Sequence, residues 1–201
     1  MPSAAVALLP ASSAVKLLLF PCKFETLIPP SEQTLTLAVP DLILRRARPQ
    51  DAAAISHLNN IFADEGQMLK RSPEMISLAI DDYIVVQHSV GELLACGALK
   101  EYSPSVAEVA AIAVAKSAHG KGLGRAIVSA VETLARKRGI YDVFALTLQP
   151  EFFGAIGYLR VDRARYPEKI RRDCLGCVRR FACNELCVAK NLMLDEVERA
   201  A

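Results

Sequence analysis

The sequence predicts an α/β domain: a mixed central β-sheet flanked by helices on both faces. Three observations carry that prediction. Between residues 42 and 161, apolar residues recur with strand and helix periods in the order β-α-α-β-β-β-α-β-α-β. One of those strands leads through a glycine-rich turn into a long amphipathic helix near residue 122. Finally, 201 residues, 52% of them hydrophobic, are enough to bury one core with chain to spare.

The spare chain lies at the N-terminus. Residues 1–41 hold six of the eleven prolines and show no sustained period, so they read as a poorly ordered extension. Met1 to Phe20 is apolar, but Pro10 interrupts it and no Lys or Arg precedes Lys16, unlike a secretory signal. The folded domain is expected over residues 42–194. Leu42 to Leu44 begins a short strand, and Pro49-Gln50-Asp51 opens a helix with Ile55, Leu58 and Phe62 on one face. Ser72, followed by Pro73, is a good N-cap for a second helix.

Tyr83 to Gln87 and Leu93 to Leu99 read as the arms of a hairpin around Val90-Gly91-Glu92. Glu108 to Val114 is a further strand. A helix then runs from about Gly122 to Arg138, with Ile127, Val128, Val131 and Leu134 on one face and Gly139 as its stop. Strand Tyr141 to Leu148, short helix Glu151 to Ala155 and strand Tyr158 to Val161 complete the series.

Composition excludes several classes of function. The chain has 24 basic and 22 acidic residues, a net charge of +2, which gives no concentrated basic field for nucleic acid. No run of about 18 apolar residues suggests a membrane-spanning helix, so a cytoplasmic protein is expected. Of six cysteines, Cys22 and Cys96 are isolated, whereas Cys174, Cys177, Cys183 and Cys187 cluster within residues 173–187. Such a cluster points to metal or plain thiols rather than a disulfide framework. CxxC is the usual first half of a zinc site, and four thiolates would complete a tetrahedron of structural zinc. The alternative is free thiols, whose pKa the flanking Lys169, Arg171, Arg172, Arg179 and Arg180 would lower.

The informative chemistry lies in Glu108-Val-Ala-Ala-Ile-Ala-Val114 leading to His119-Gly120-Lys121-Gly122-Leu123-Gly124-Arg125. Glycines at alternate positions let the backbone approach a ligand closely, and the helix start adds partial positive charge. The turn therefore suits phosphate groups, with Lys121 and Arg125 adding full charges. It matches neither the P-loop nor the dinucleotide spacing, and alone it reads equally well as a flexible helix cap.

In context the segment resembles the acetyl-CoA signature of GCN5-related N-acetyltransferases, with His119 in place of the usual Arg or Gln. Arg46-Ala-Arg-Pro-Gln-Asp51 is similar to that family's first strand and helix start, and Phe152-Phe-Gly-Ala-Ile-Gly-Tyr158 to its closing motif. The resemblance implies direct acetyl transfer from acetyl-CoA to an amine. The pyrophosphate would lie on Gly120 to Arg125, and the pantetheine arm along Ile112, Ala113 and Val114. Phe152 and Phe153 would border the cofactor. The Val114 amide would donate to the oxyanion, and Glu108 would take the ammonium's proton. Many relatives place a Tyr acid near Phe152; here the role is vacant or falls to Tyr158.

Within the family, the chain most resembles short N-acetylglutamate synthases. Glu65 to Glu74 is similar to their substrate loop, implying that Arg71 grips a carboxylate of L-glutamate. Lys70, Lys190 or Arg46 would supply a second cation. Lys70-Arg71 read without the resemblance is an ordinary solvated pair. Rival readings are another acceptor amine, such as a polyamine or protein lysine, and a non-catalytic acyl-CoA sensor. A small-molecule partner is expected, no nucleic acid or membrane, and a homodimer is the assembly to test.

Overall fold

The structure, a computed structural model, describes residues 35–36 and 41–194. Its strands are β1 (Leu35–Thr36), β2 (Leu42–Arg46), β3 (Tyr83–His88), β4 (Leu93–Ser103), β5 (Val106–Val114), β6 (Asp142–Thr147), β7 (Leu159–Arg160) and β8 (Leu186–Asn191). Its helices are α1 (Ala52–Asp64), α2 (Pro73–Leu78), α3 (Leu123–Lys137), α4 (Pro150–Gly154) and α5 (Pro167–Lys169), the last running into a π-helical stretch, Ile170–Cys174. The strands form one sheet in the order β1-β2-β3-β4-β5-β6-β8-β7. Within it only β5 and β6 pair in parallel among the described residues.

Every strand and helix expected between residues 42 and 161 is present. Three features go beyond the expectation. Within the expected extension, Leu35–Thr36 adds an edge strand opposite Ile43 and Leu44, while residues 1–34 and 37–40 lie outside the described residues. β4 continues past Leu99 to Ser103 and turns directly into β5, so that Lys100 stands opposite Glu108. β8, hidden in the cysteine-rich stretch, inserts between β6 and β7.

Burial on both faces explains the central strands. β3 begins Tyr-Ile-Val-Val, a continuous apolar run that only a strand covered on both sides can use. Ile84 and Val86 pack with Ile127, Val128, Val131 and Leu134 of α3 on one face. Tyr83 and Val85 pack with Ile55, Leu58, Phe62 and Ile76 of α1 and α2 on the other. A third cluster joins Phe144, Tyr166, Cys187 and Ala189. There the Phe144 and Tyr166 rings stack at 4.0 Å, and the Tyr166 hydroxyl donates to Asp142 at 2.9 Å. That stack anchors the chain after β7 against the sheet on the face carrying α1.

The approach of α3 to the sheet is close at Gly97 of β4. A Cβ there would lie 2.4 Å from Ile127 Cγ2 and 2.5 Å from Ile112 Cδ1. Gly97→Ala is therefore expected to destabilise the fold by about 1–3 kcal/mol through overpacking. Urea denaturation checks this, and an unchanged midpoint would contradict the packing.

Candidate active site

β5 and β6 stay paired over only three positions, Val106 to Glu108 against Asp142 to Phe144. Beyond Glu108 the strands part, and a cavity of about 1150 Å³ opens, lined by residues 109–114 of β5 and by Leu146 to Gln149. Ala111 sits at the bend, with a left-handed φ of 54° that costs a non-glycine residue roughly 1–2 kcal/mol. Backbone groups of β5 that a neighbouring strand would otherwise satisfy are thereby left for a ligand.

The glycine turn forms one wall. Gly120 and Gly122 adopt φ of 76° and 75°, open to glycine at little cost, and Gly122 caps the N-terminus of the 15-residue α3. Gly124 serves differently: a Cβ there would press on the Phe152 ring at 3.3 Å. The His119 ring lies 2.9 Å from the Val114 carbonyl, tying the turn to the end of β5. With its helix N-terminus and Arg125, this wall suits an anion.

At the other end a half-buried charge cluster surrounds the buried Glu108. Glu108 is 5% exposed, and its Oε2 accepts from Lys169 Nζ at 2.8 Å and lies 2.9 Å from the Tyr102 hydroxyl. Asp173 Oδ2 accepts from Lys100 at 2.7 Å and Lys169 at 3.0 Å, and makes a close contact with Tyr102. Burial alone would raise the Asp173 carboxyl, yet hydrogen bonds from Lys100, Tyr102 and Lys169 hold it well below the usual carboxylate range. Burial, followed by the Glu108 charge and the bonds to both carboxylates, pushes the Tyr102 phenol far up. For Lys169, burial acts to lower the pKa, but Glu108 and Asp173 outweigh it.

Of the residues singled out in the sequence, Glu108, Arg71, Ile112 to Val114, His119, Gly120, Gly122 to Arg125, Phe152 and Phe153 all line this cavity. Lys121 does not. The Arg71 backbone is fixed by α1: Asn60 accepts its N–H at 3.0 Å, and Ser56 donates to its carbonyl at 2.7 Å. Its side chain reaches the Tyr83 hydroxyl, whose pKa is raised chiefly by burial despite the guanidinium.

The other candidate cations lie elsewhere. Lys70 is exposed and pairs with Asp64 at 2.7 Å, while Arg46 donates to the Asp81 carbonyl. Lys190 is buried against Glu132 at 3.3 Å, away from the cavity, and Tyr158 packs on Phe153 outside its lining. Lys169, Tyr102 and Asp173 escaped the sequence reading as site residues. The readable signal was the hairpin register, which sets Lys100 opposite Glu108 and Tyr102 two residues further on.

Of the two readings of the cysteine cluster, the geometry does not support zinc: among the described residues, no three His, Cys, Asp or Glu side chains gather as metal ligands, Cys174, Cys177, Cys183 and Cys187 included. Cys187 is drawn into β8 and buried against Phe144 and Tyr166, while Cys183 receives the Arg163 guanidinium at 3.5 Å. Nor do nearby cations lower the pKa of Cys174 or Cys187. Burial raises Cys174 despite Lys169 and Arg163, and raises Cys187 to about 11. Arg172, Arg179 and Arg180 are instead occupied by the carbonyls of Glu101, Gly66 and Leu175.

Residues 52–161 match the acetyltransferase (GNAT) family, and the chain belongs to that family. It is 39% identical over 152 residues to an uncharacterized N-acetyltransferase of Chlorobaculum tepidum, covering 76% of this chain and 97% of that one. Identity to an amino-acid acetyltransferase of Mycobacterium tuberculosis is 30% over 122 residues, covering 60% and 70% of the two chains. Among solved structures, N-acetylglutamate synthase from Neisseria gonorrhoeae, complexed with coenzyme A and N-acetyl-glutamate, superposes with a TM-score of 0.69 at 27% identity. That match covers 78% of this chain and 36% of the synthase. A Mycobacterium tuberculosis protein in complex with CoA gives a TM-score of 0.65 at 25% identity, covering 74% and 98% of the two chains. No helix among the described residues is long and apolar enough to cross a membrane.

The position of Lys190 has a measurable consequence. It and Glu132 are only 6% and 5% exposed at the side chain. Removing one member of such a pair leaves the other charge buried, so Lys190→Met should lower stability by about 3–5 kcal/mol. Urea denaturation reads this; a variant as stable as the wild type would show that the pair contributes nothing.

Proposed function

We propose that this protein is an amino-acid N-acetyltransferase that moves the acetyl group of acetyl-CoA to the α-amine of L-glutamate. The observation that carries the reading is the sharing of one cavity by Arg71, Glu108 and the glycine turn. The amides of Gly120 to Arg125 and the positive end of α3 suit the pyrophosphate. The free edge of β5 suits the amide-bearing pantetheine arm, with the Val114 amide serving the thioester oxygen. Arg71 offers a planar fork to a substrate carboxylate, which a polyamine site would not need.

The reaction needs a neutral amine. Glu108 takes a proton from the ammonium, directly or through water; the freed nitrogen attacks the thioester carbonyl, the C–N bond forms, and the C–S bond breaks. Coenzyme A leaves as a thiolate, tolerable because an ordinary thiol has a pKa of about 8.5, and takes up the second proton that the nitrogen sheds as it becomes an amide. The synthase and amino-acid acetyltransferase relatives support a carboxylate-bearing acceptor. The matched part of the chain spans 30% of the Neisseria meningitidis amino-acid acetyltransferase.

The test is CoA-thiol release against a panel of free amino acids and polyamines. Glutamate should give the strongest release. Arg71→Ala should raise the glutamate KM about 10- to 100-fold, as expected for loss of charged hydrogen bonds. Glu108→Gln should lower kcat by roughly 100-fold or more. Release driven by polyamines, or a glutamate KM indifferent to Arg71, would overturn the acceptor.

A further inference from the structure

Glu108 does not stand alone in its cavity, and its partners come from distant parts of the chain. Tyr102 and Lys100 extend from β4, the strand paired with its own. Lys169 and Asp173 come from the helical stretch after β7, some 60 residues on. Both contacts to Glu108 fall on Oε2. Among the described residues Oε1 accepts no hydrogen bond, which makes it the oxygen available to a substrate proton.

We propose that Lys169, Tyr102 and Asp173 form a clamp that positions the Glu108 carboxylate, so that the segment after β7 is part of the catalytic apparatus. This rests on Glu108 being the base of the proposed acetyl transfer. The Lys169 ammonium has three N–H bonds, and Glu108 and Asp173 take two of them. Asp173 in turn is held from β4 by Lys100 and by close contact with Tyr102. Tyr102 has a single proton for two carboxylates, so it serves one at a time, and Lys169 is the partner that bonds both together. Two carboxylates and two ammoniums make the cluster neutral. A half-buried neutral cluster of ions is a poor device for stability, because water screens its outer pairs and apolar side chains of the same volume do as well. Bordering a cavity, it fixes one rotamer of a carboxylate and leaves one oxygen free.

The groups facing Glu108 are Lys100 and Tyr102 from β4, Lys169 and Asp173 from the helical stretch, and Cys187 from β8. They set the signs of the expected pH effects. Loss of the cation in Lys169→Met should move the acid limb of kcat/KM to higher pH. Loss of the anion in Asp173→Asn should move it to lower pH.

The decisive experiment is a double-mutant cycle on kcat with glutamate and acetyl-CoA saturating. Asp173→Asn and Tyr102→Phe should each lower kcat by about 10- to 100-fold, the cost of a displaced catalytic group. Acetyl-CoA affinity, measured by calorimetry, should stay within twofold and so report an intact fold. In a Glu108→Gln background the same substitutions should change kcat less than twofold, since the group they position is gone. Lys169→Arg should recover part of what Lys169→Met loses. If Asp173→Asn and Tyr102→Phe cost as much in the Glu108→Gln background, or move neither kcat nor the acid limb, the clamp is refuted while Glu108 keeps its role. If Glu108→Gln itself retains wild-type kcat, the base assignment falls, and the clamp with it.

Discussion

Three residue pairs hold β5 to β6, and beyond them the two strands part. The rest of the site depends on that separation. A regular parallel pair would satisfy the backbone of both strands and leave no opening. Here Ala111 bends β5 with a left-handed φ, β6 ends at Thr147, and Pro150 starts α4. Phe152 of α4 then packs against Gly124 at the start of α3. The gap between the strands is thus bordered at one end by a helix N-terminus and at the other by the last paired residue, Glu108. One irregularity supplies both an unsatisfied strand edge and the room to use it.

The two ends of the cavity handle charge by different means. At the turn, positive potential comes from backbone amides and the helix end, which cost little because peptide dipoles are already aligned in α3. At Glu108 the charges are side chains, largely withdrawn from water, and each is neutralised by a partner on another element. Such an arrangement demands accurate placement of the chain after β7. The Phe144–Tyr166 stack and the Tyr166–Asp142 hydrogen bond secure that chain only a few residues before Lys169.

The parts legible in the sequence are those whose signal is local. The helices announced themselves through apolar period, the Ser72 cap and Gly139, and the glycine turn through its spacing. Glu108 and Arg71 were legible because each lies within a short stretch resembling other chains. The Lys169–Glu108–Asp173–Lys100 cluster was not, since its members are drawn together by tertiary packing across 73 positions of sequence. The end of β4 was missed for a simpler reason. Lys100-Glu101-Tyr102 is polar enough to read as a loop, yet it pairs with Val106 to Glu108 of β5 and meets a helical stretch whose Asp173 matches Lys100.

Two of the misplaced candidates, Lys190 and Cys187, have one cause. Both lie on β8, a strand hidden within a cysteine-rich stretch. In a strand, successive side chains point to opposite faces. Cys187 and Ala189 therefore turn toward Phe144 and Tyr166, and Val188 and Lys190 toward α3. Glu108 bonds Lys169 on the first face, whereas Lys190 meets Glu132 on the second. With β8 paired from Leu186 to Asn191, Lys190 cannot reach the face that carries Glu108. Cys187, fixed in the same strand, cannot leave the sheet to join Cys174 and Cys177. A one-residue shift in register would exchange the two faces, burying Lys190 against Phe144 and exposing Cys187 to Glu132. The Lys190–Glu132 pair is thus one of the interactions that hold β8 in place, and through β8 the segment that reaches Glu108.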